Sequence, residues 1–435
     1  MPWTAPTPPG TPPDVEVDGS PPGRVRLLTP EQALARDTEE LAKTDGISLA
    51  EARHRMAFQE RVDTYLQSVP TDVMENSFAG GEFTFSSTTG STAVMHFKDD
   101  VPAAAKRGAP TGLRLRGGAK YSLNEMSARQ NSAHQAIVDL GFTEVTSSAD
   151  AITQKITVNV AQRPDRPGLR GEKLRTAALD SLAHPRRQTT MGARLGSPSI
   201  ANEATPVSMT RKELVLREHP AGTRLFRPTH GYGGAGALVD GVQACTTGFV
   251  VRRNSDGVEG VTTAGHCERV TAIEENNASG GVNLTFPAPF AKEHIGVDGD
   301  IEWHTTTHDD FPRFWADTGT LRSVTGRKKA NTYFVGEYVC KYGRVGGLSC
   351  GHIVSLSRSA TLPGEGIDLY TAQNMIGVDY DEVEVEYGDS GGPWFVNNTA
   401  YGILSGYTND GNGCVITFSK IQLVEKRFGV TVERA

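Results

Sequence analysis

The sequence predicts an all-β domain over residues 233–435, preceded by an α+β region over residues 31–190. Three observations predict it. From Gly233 onward, short β-rich runs are separated by Gly, Asn and Asp turns, and no long helical pattern interrupts them until Ile421–Phe428. Upstream, a helix-then-strand pattern occurs twice, each time opened by a Ser-x-x-Glu capping box. All five cysteines, Cys245, Cys267, Cys340, Cys350 and Cys414, fall in the second half.

The elements follow in order. Residues 1–30 are Pro-rich and poor in large apolar groups, which predicts a disordered leader. After Ser48-Leu49-Ala50-Glu51, apolar residues at Leu49, Ala52, Met56, Val62, Leu66 and Val69 lie near one helical face, and Pro70 ends the helix. Glu82-Phe83-Thr84-Phe85 and Ala93-Val94-Met95-His96-Phe97 read as two strands about a turn. Ser122-Leu123-Asn124-Glu125 opens a second helix to Leu140, with Gly141 as its C-cap, and the alternation over 153–160 reads as a strand. This is a weak internal duplication. A further helix is expected over 172–183, and residues 191–232, rich in Pro, Gly and Arg, read as a linker.

Length suits two or three domains, and 37% hydrophobic with 22% charged residues is an ordinary globular composition. No run of 18 apolar residues is present, which argues against a membrane span. Residues 1–214 carry 25 basic and 25 acidic groups and the remainder 19 and 26, so the net charge of -7 sits wholly in the second half. That balance excludes a basic nucleic-acid footprint. Clustered cysteines predict a disulfide framework and an oxidising compartment. No Cys-x-x-Cys with His partners points to zinc, and neither metal nor organic cofactor is expected. Met1-Pro2-Trp3 does not begin a signal peptide. The cysteines outweigh it, and secretion is the expectation.

The chemistry is concentrated in Gly388-Asp389-Ser390-Gly391-Gly392-Pro393. A serine between glycines at a tight turn can expose its Oγ while backbone N–H groups converge on the same point, as acyl transfer requires. In a chain with 48 Gly such a string alone is weak. Thr263-Ala264-Gly265-His266-Cys267 and Gly299-Asp300-Ile301-Glu302-Trp303 upstream make it strong, because they supply His, Asp and Ser in a working order. Ser390 is the candidate nucleophile and His266 its base. Asp300 would hold the other ring proton and stabilise the imidazolium. Asp298 is the rival carboxylate, and His304 and His308 are rival histidines read as lying on a surface strand or loop. An α/β-hydrolase esterase or lipase is disfavoured, since there the serine precedes the histidine. The other class of reading is a non-catalytic binding module on the same scaffold, against which the three intact residues argue.

Together with Cys245-Thr246-Thr247-Gly248-Phe249-Val250 and Gly402-Ile403-Leu404-Ser405-Gly406, these strings resemble the chymotrypsin-fold serine proteases, in particular the bacterial branch of streptogrisins and α-lytic protease. The resemblance implies two six-stranded antiparallel β-barrels and a serine endopeptidase acting on protein or peptide substrates. It also implies an oxyanion hole from the N–H groups of Gly388 and Ser390, and a substrate-pairing strand at Ser405-Gly406-Tyr407. Disulfides Cys245–Cys267 and Cys340–Cys350 follow in the same way, with Cys414 left over. The α+β block, including Phe78-Ala79-Gly80-Gly81, resembles the pro-region of the α-lytic family, which assists folding and inhibits until cleaved. That implies a monomeric zymogen with its own pro-region as partner in cis, cleaved just before Gly233-Gly234; slow-folding all-β topologies give such a template a physical use. Asp381, Glu382, Glu384, Glu386 and Asp389 crowd the approach to Ser390. Alternation with Val383 and Val385 puts the glutamates on one strand face. They read either as a solvated face or, through Glu384, as a preference for Lys or Arg at the cleaved position.

Overall fold

Three helix starts in the N-terminal half are fixed by side-chain caps. In the computed structural model, residues 26–86, 90–165, 168–184, 207–221, 223, 225–228, 235–239, 241–267, 270–275, 284–306, 310–363, 369–379, 383–409 and 414–435 are described. Thr29 and Ser122 close full capping boxes with Gln32 and Glu125, and Ser48 accepts from the Glu51 N–H. They open the helices Pro30–Thr44, Leu123–Asp139 and Leu49–Ser68. The helix Leu123–Asp139 is capped after Leu140 by Gly141, as expected, and the φ of Gly141 is +87°. The helix Pro30–Thr44 and the strand Arg26–Leu28 begin inside the stretch expected to be a leader, so that expectation fails for residues 26–30. Residues 1–25 lie outside the described residues.

Each half of the duplication is a helix followed by an antiparallel pair and a third strand added in parallel. Phe78–Thr84, Thr92–Lys98 and Leu113–Ala119 form the first sheet. Val145–Asp150, Lys155–Ala161 and Leu214–His219 form the second three-stranded set. Helix Gly171–Ala183 matches expectation. Leu214–His219 and Phe226–Pro228 do not, because they lie in the expected linker and are instead sheet strands. Residues 185–206, 222, 224 and 229–234, which include much of that linker and its cleavage candidate, lie outside the described residues.

The C-terminal half is built of β-strands, as expected. One sheet joins Val242–Thr246, Gly236–Val239, Ala272–Glu275 and Leu284–Pro287. A second joins Phe290–Gly296, Gly299–Thr305, Glu259–Thr263, Val250–Arg253 and Val430–Val432. A third runs through Tyr338–Gly343, Pro393–Val396, Thr399–Asn409, Cys414–Lys420, Leu369–Asp379 and Gly347–Pro363. Helix Ile421–Phe428 closes the chain as expected, ended by Gly429 at φ +68°. Both implied disulfides are present, with Cα–Cα separations of 5.8 Å for Cys245–Cys267 and 4.0 Å for Cys340–Cys350; Cys414 is in neither.

The third sheet crosses into the N-terminal half. Arg358, Ser359 and Ala360 pair antiparallel with Ser148, Ser147 and Thr146. Arg26–Leu28 likewise lies parallel on Thr320–Ser323. Between these edges the seam is apolar with buried ion pairs. Phe78 and Phe83 pack on Phe334. Asp37 holds Arg322 at 2.7 Å with both side chains fully buried, and Lys328 bridges Asp63 and Glu337 at 2.5 Å each. Gln59 satisfies both the N–H and the C=O of Tyr338.

His134 sits in the seam with Nδ1 3.0 Å from Ser147 Oγ and Nε2 2.9 Å from Thr361 Oγ1. Burial pushes its pKa down to about 3. Since the unfolded value is about 6.5, its contribution is complete above pH 6.5 and is lost progressively as pH falls toward 3, at about 1.4 kcal/mol per pH unit. Denaturant midpoints of the full chain should therefore fall between pH 6.5 and 4, and His134→Gln should flatten that slope by about one proton. An unchanged slope in the variant contradicts the assignment.

Candidate active site

Three separate elements carry the predicted residues. The strand Glu259–Thr263 runs out into a tight turn, Gly265–Cys267, which the Cys245–Cys267 bridge anchors and which carries His266. Asp300 is the second residue of strand Gly299–Thr305, and its own N–H and C=O are both held by Ser419 Oγ. Ser390 lies on the turn before Pro393–Val396, with its carbonyl bound to the Thr246 N–H at 2.7 Å.

The three side chains meet. Ser390 Oγ is 2.9 Å from His266 Nε2, and His266 Nδ1 is 2.5 Å from Asp300 Oδ2. The His266 backbone N–H donates to Asp300 Oδ1 at 2.8 Å, and Ser405 Oγ–H donates to Oδ2 at 2.6 Å. Full burial pushes the Asp300 pKa up, but the His266 charge and the hydrogen bonds from His266 and Ser405 outweigh it, leaving the carboxyl below its ordinary value. It is therefore anionic at neutral pH. Asp298, the rival, is half-buried and faces Arg427 at 3.8 Å. His304 does not lie on the surface: both faces of Gly299–Thr305 are covered and His304 is buried. His308 lies outside the described residues.

The turn holding Ser390 is set by its glycines and by a buried charge. Gly388 has φ +128°, a conformation that a side chain strongly disfavours. Asp389 O accepts from Gly392 N–H at 3.0 Å. Because a trans peptide is planar, the Ser390 N–H of the same unit points the opposite way. Asp389 does not line the approach as expected. It is fully buried, 2.5 Å from Lys341 Nζ, and accepts from the N–H groups of Val345, Gly346 and Glu386. A Cβ on Gly343 would lie 2.0 Å from this carboxylate, so the strand Tyr338–Gly343 must end in glycine for the charge to fit. Burial pulls the Lys341 ammonium below its usual range, against the opposing attraction of Asp389. This pair was not read from the sequence; a lysine inside an otherwise apolar strand was its only signal.

Ser405, Gly406 and Tyr407 lie in Thr399–Asn409, and Ser405 O is 3.4 Å from Ser390 Oγ. The three-residue strand Phe226–Pro228 pairs antiparallel with this segment: Pro228 opposite Gly406, Arg227 opposite Tyr407 and Phe226 opposite Thr408. Residues 383–386 are not a strand, although the alternation persists: Val383 and Val385 are buried, Glu384 and Glu386 exposed. The Glu384 N–H donates to Ser349 Oγ at 2.8 Å. Asp381 and Glu382 lie outside the described residues. Among the described residues, the one grouping of potential metal ligands is Cys245, His266 and Cys267, and its two sulfurs are tied in a disulfide.

Comparison with known proteins places the C-terminal half in a family. The family model described as Trypsin matches residues 238–424. Streptogrisin-C of Streptomyces griseus is 31% identical over 201 residues, covering 46% of this chain and 40% of that protein. Serine protease 2 of Streptomyces fradiae is 30% identical over 174 residues, covering 40% of this chain and 92% of that protein. The solved structure of Cellulomonas bogoriensis chymotrypsin is 28% identical, covering 47% of this chain and 98% of its own, with a TM-score of 0.36. The chain belongs to the trypsin family of chymotrypsin-fold serine endopeptidases, and its relatives there are bacterial serine proteases. It spans less than half the length of streptogrisin-C but nearly all of serine protease 2.

Removing one partner of a buried pair leaves an uncompensated charge, at a cost of about 3–5 kcal/mol. Lys341→Met should lower the unfolding free energy of the full chain by that order and slow modification of Ser390, because the Gly388–Ser390 turn loses its anchor. A variant matching wild type in denaturant midpoint and in modification rate would remove this role from Lys341.

Proposed function

We propose that this chain is a secreted serine endopeptidase made as a zymogen, cleaving peptide bonds through an acyl-enzyme. The observation that carries the proposal is the continuous contact from Asp300 through His266 to Ser390 Oγ, at 2.5 and 2.9 Å. His266 Nε2 takes the Ser390 proton as Oγ attacks the carbonyl carbon. Asp300 keeps the proton on Nδ1 and stabilises the imidazolium. The N–H groups of Gly388 and Ser390 would receive the developing oxyanion, each such donor contributing roughly 3 kcal/mol in the transition state. The imidazolium then protonates the leaving amine, and water, activated by the same histidine, hydrolyses the ester. Ser405, Gly406 and Tyr407 would pair with substrate backbone.

Inhibition in cis is supported by Phe226–Pro228, which lies on Gly406–Thr408 where a substrate strand would pair. The scissile bond then falls after Pro228 and before Gly233. A folding role for the α+β half is supported by its sheet, which continues the edge strand Gly347–Pro363. The two-barrel arrangement belongs to the same reading, and export is supported by the two disulfides. Exposure of Glu384 favours the solvated acidic face over a preference for Lys or Arg.

Processed protein treated with a fluorophosphonate probe should carry the adduct on Ser390, and Ser390→Ala should carry none. N-terminal sequencing of the same material should place the new terminus within residues 229–233. A folded, processed protein that takes no adduct would overturn the enzyme reading in favour of a binding module.

A further inference from the structure

The strand Gly299–Thr305 places Asp300, Glu302 and His304 on one face, at Cα separations of about 6.6 Å between neighbours. All three are buried. His304 Nδ1 lies 2.9 Å from Ala288 O. A carbonyl only accepts, so Nδ1 carries a proton. Nε2 is hydrogen-bonded to Glu302 Oε1. A bare imidazole nitrogen and a carboxylate both only accept, so one proton lies between them. Whether that proton sits on Nε2 or on Oε1, the pair is net neutral. The triad chemistry uses neither residue.

Other charged groups reach this strand from the elements packed against it. Glu293 is opposite Glu302 on Phe290–Gly296, with Lys292 and His294 beside it. Arg427 of helix Ile421–Phe428 contacts His294. Lys420 ends Cys414–Lys420, Asp379 ends Leu369–Asp379, and His266 is on Gly265–Cys267. Thr263 and Val261 are the uncharged cross-strand neighbours of Glu302 and His304.

We infer that Glu302 and His304 form a charge-neutral positioning pair that leaves Asp300 as the net anion on its strand face and so sets how readily His266 gives up its proton. The inference rests on the proposed function. A net negative charge two residues from Asp300 would stabilise the imidazolium further. More of the enzyme at neutral pH would then hold His266 protonated, unable to accept the Ser390 proton. His304 prevents this by sharing a proton with Glu302.

The test is the acid limb of kcat/KM against pH in processed protein. His304→Gln leaves Glu302 with an amide donor and no shared proton, and the limb should move up by roughly half to one pH unit. In Glu302→Gln the amide N–H can donate to a neutral His304 Nε2, the pair stays uncharged, and the limb should stay in place. The double variant should return the limb to the wild-type position. NMR titration of the His266 ring in a Ser390→Ala background should show the same shifts without relying on turnover. A merely structural pair would lower stability or kcat in all three variants and leave the limb fixed, which would overturn the inference. Wild-type protein without activity would instead overturn the function on which it rests.

Discussion

The Asp300 carboxylate is the point on which the site depends. It takes hydrogen bonds from the His266 backbone, the His266 ring and the Ser405 hydroxyl, which come from a turn and from a strand of a different sheet. A buried anion is tolerated only when its lone pairs are met, and here burial is outweighed by those donors. Two consequences follow. The ring is fixed with Nδ1 inward, so Nε2 faces Ser390. Ser405 is fixed as well, and its strand is the one that pairs with Phe226–Pro228.

Other buried charges divide by location. Lys341 and Asp389 both belong to the C-terminal half, so the turn carrying Ser390 is anchored without help from the N-terminal half. At the seam the pairs are split: Asp37 faces Arg322, and Asp63 faces Lys328, which also holds Glu337. Split pairs hold a close interface while the halves are together, because leaving either charge alone and buried is expensive.

Legibility followed chemistry and local signals. The strings around His266, Asp300 and Ser390 were readable because contiguous residues do the work, and the helices opened by Ser48 and Ser122 because their caps are local. The helix Pro30–Thr44 was hidden by the Pro-rich sequence before it, although Thr29 to Gln32 is itself a capping box with proline at the first helical position. Strands Leu113–Ala119 and Leu214–His219 were missed because they join their sheets in parallel, and Val145–Asp150 because its Thr146-Ser147-Ser148 run carries no apolar alternation although its antiparallel partner Lys155–Ala161 is next in the chain. His304 was misread because periodicity does not reveal a strand covered on both faces. Alternation at Val383 to Glu386 mimicked a strand where buried valines only pin a loop.

The most direct measurement is the effect of Asp300→Asn on processed protein. The amide preserves shape but presents a donor to the ring, favouring the tautomer whose Nε2 bears the proton. A fall of about 10⁴ in kcat is expected, with the melting transition still cooperative and both disulfides intact. A variant that keeps kcat within tenfold of wild type would contradict the place given to Asp300.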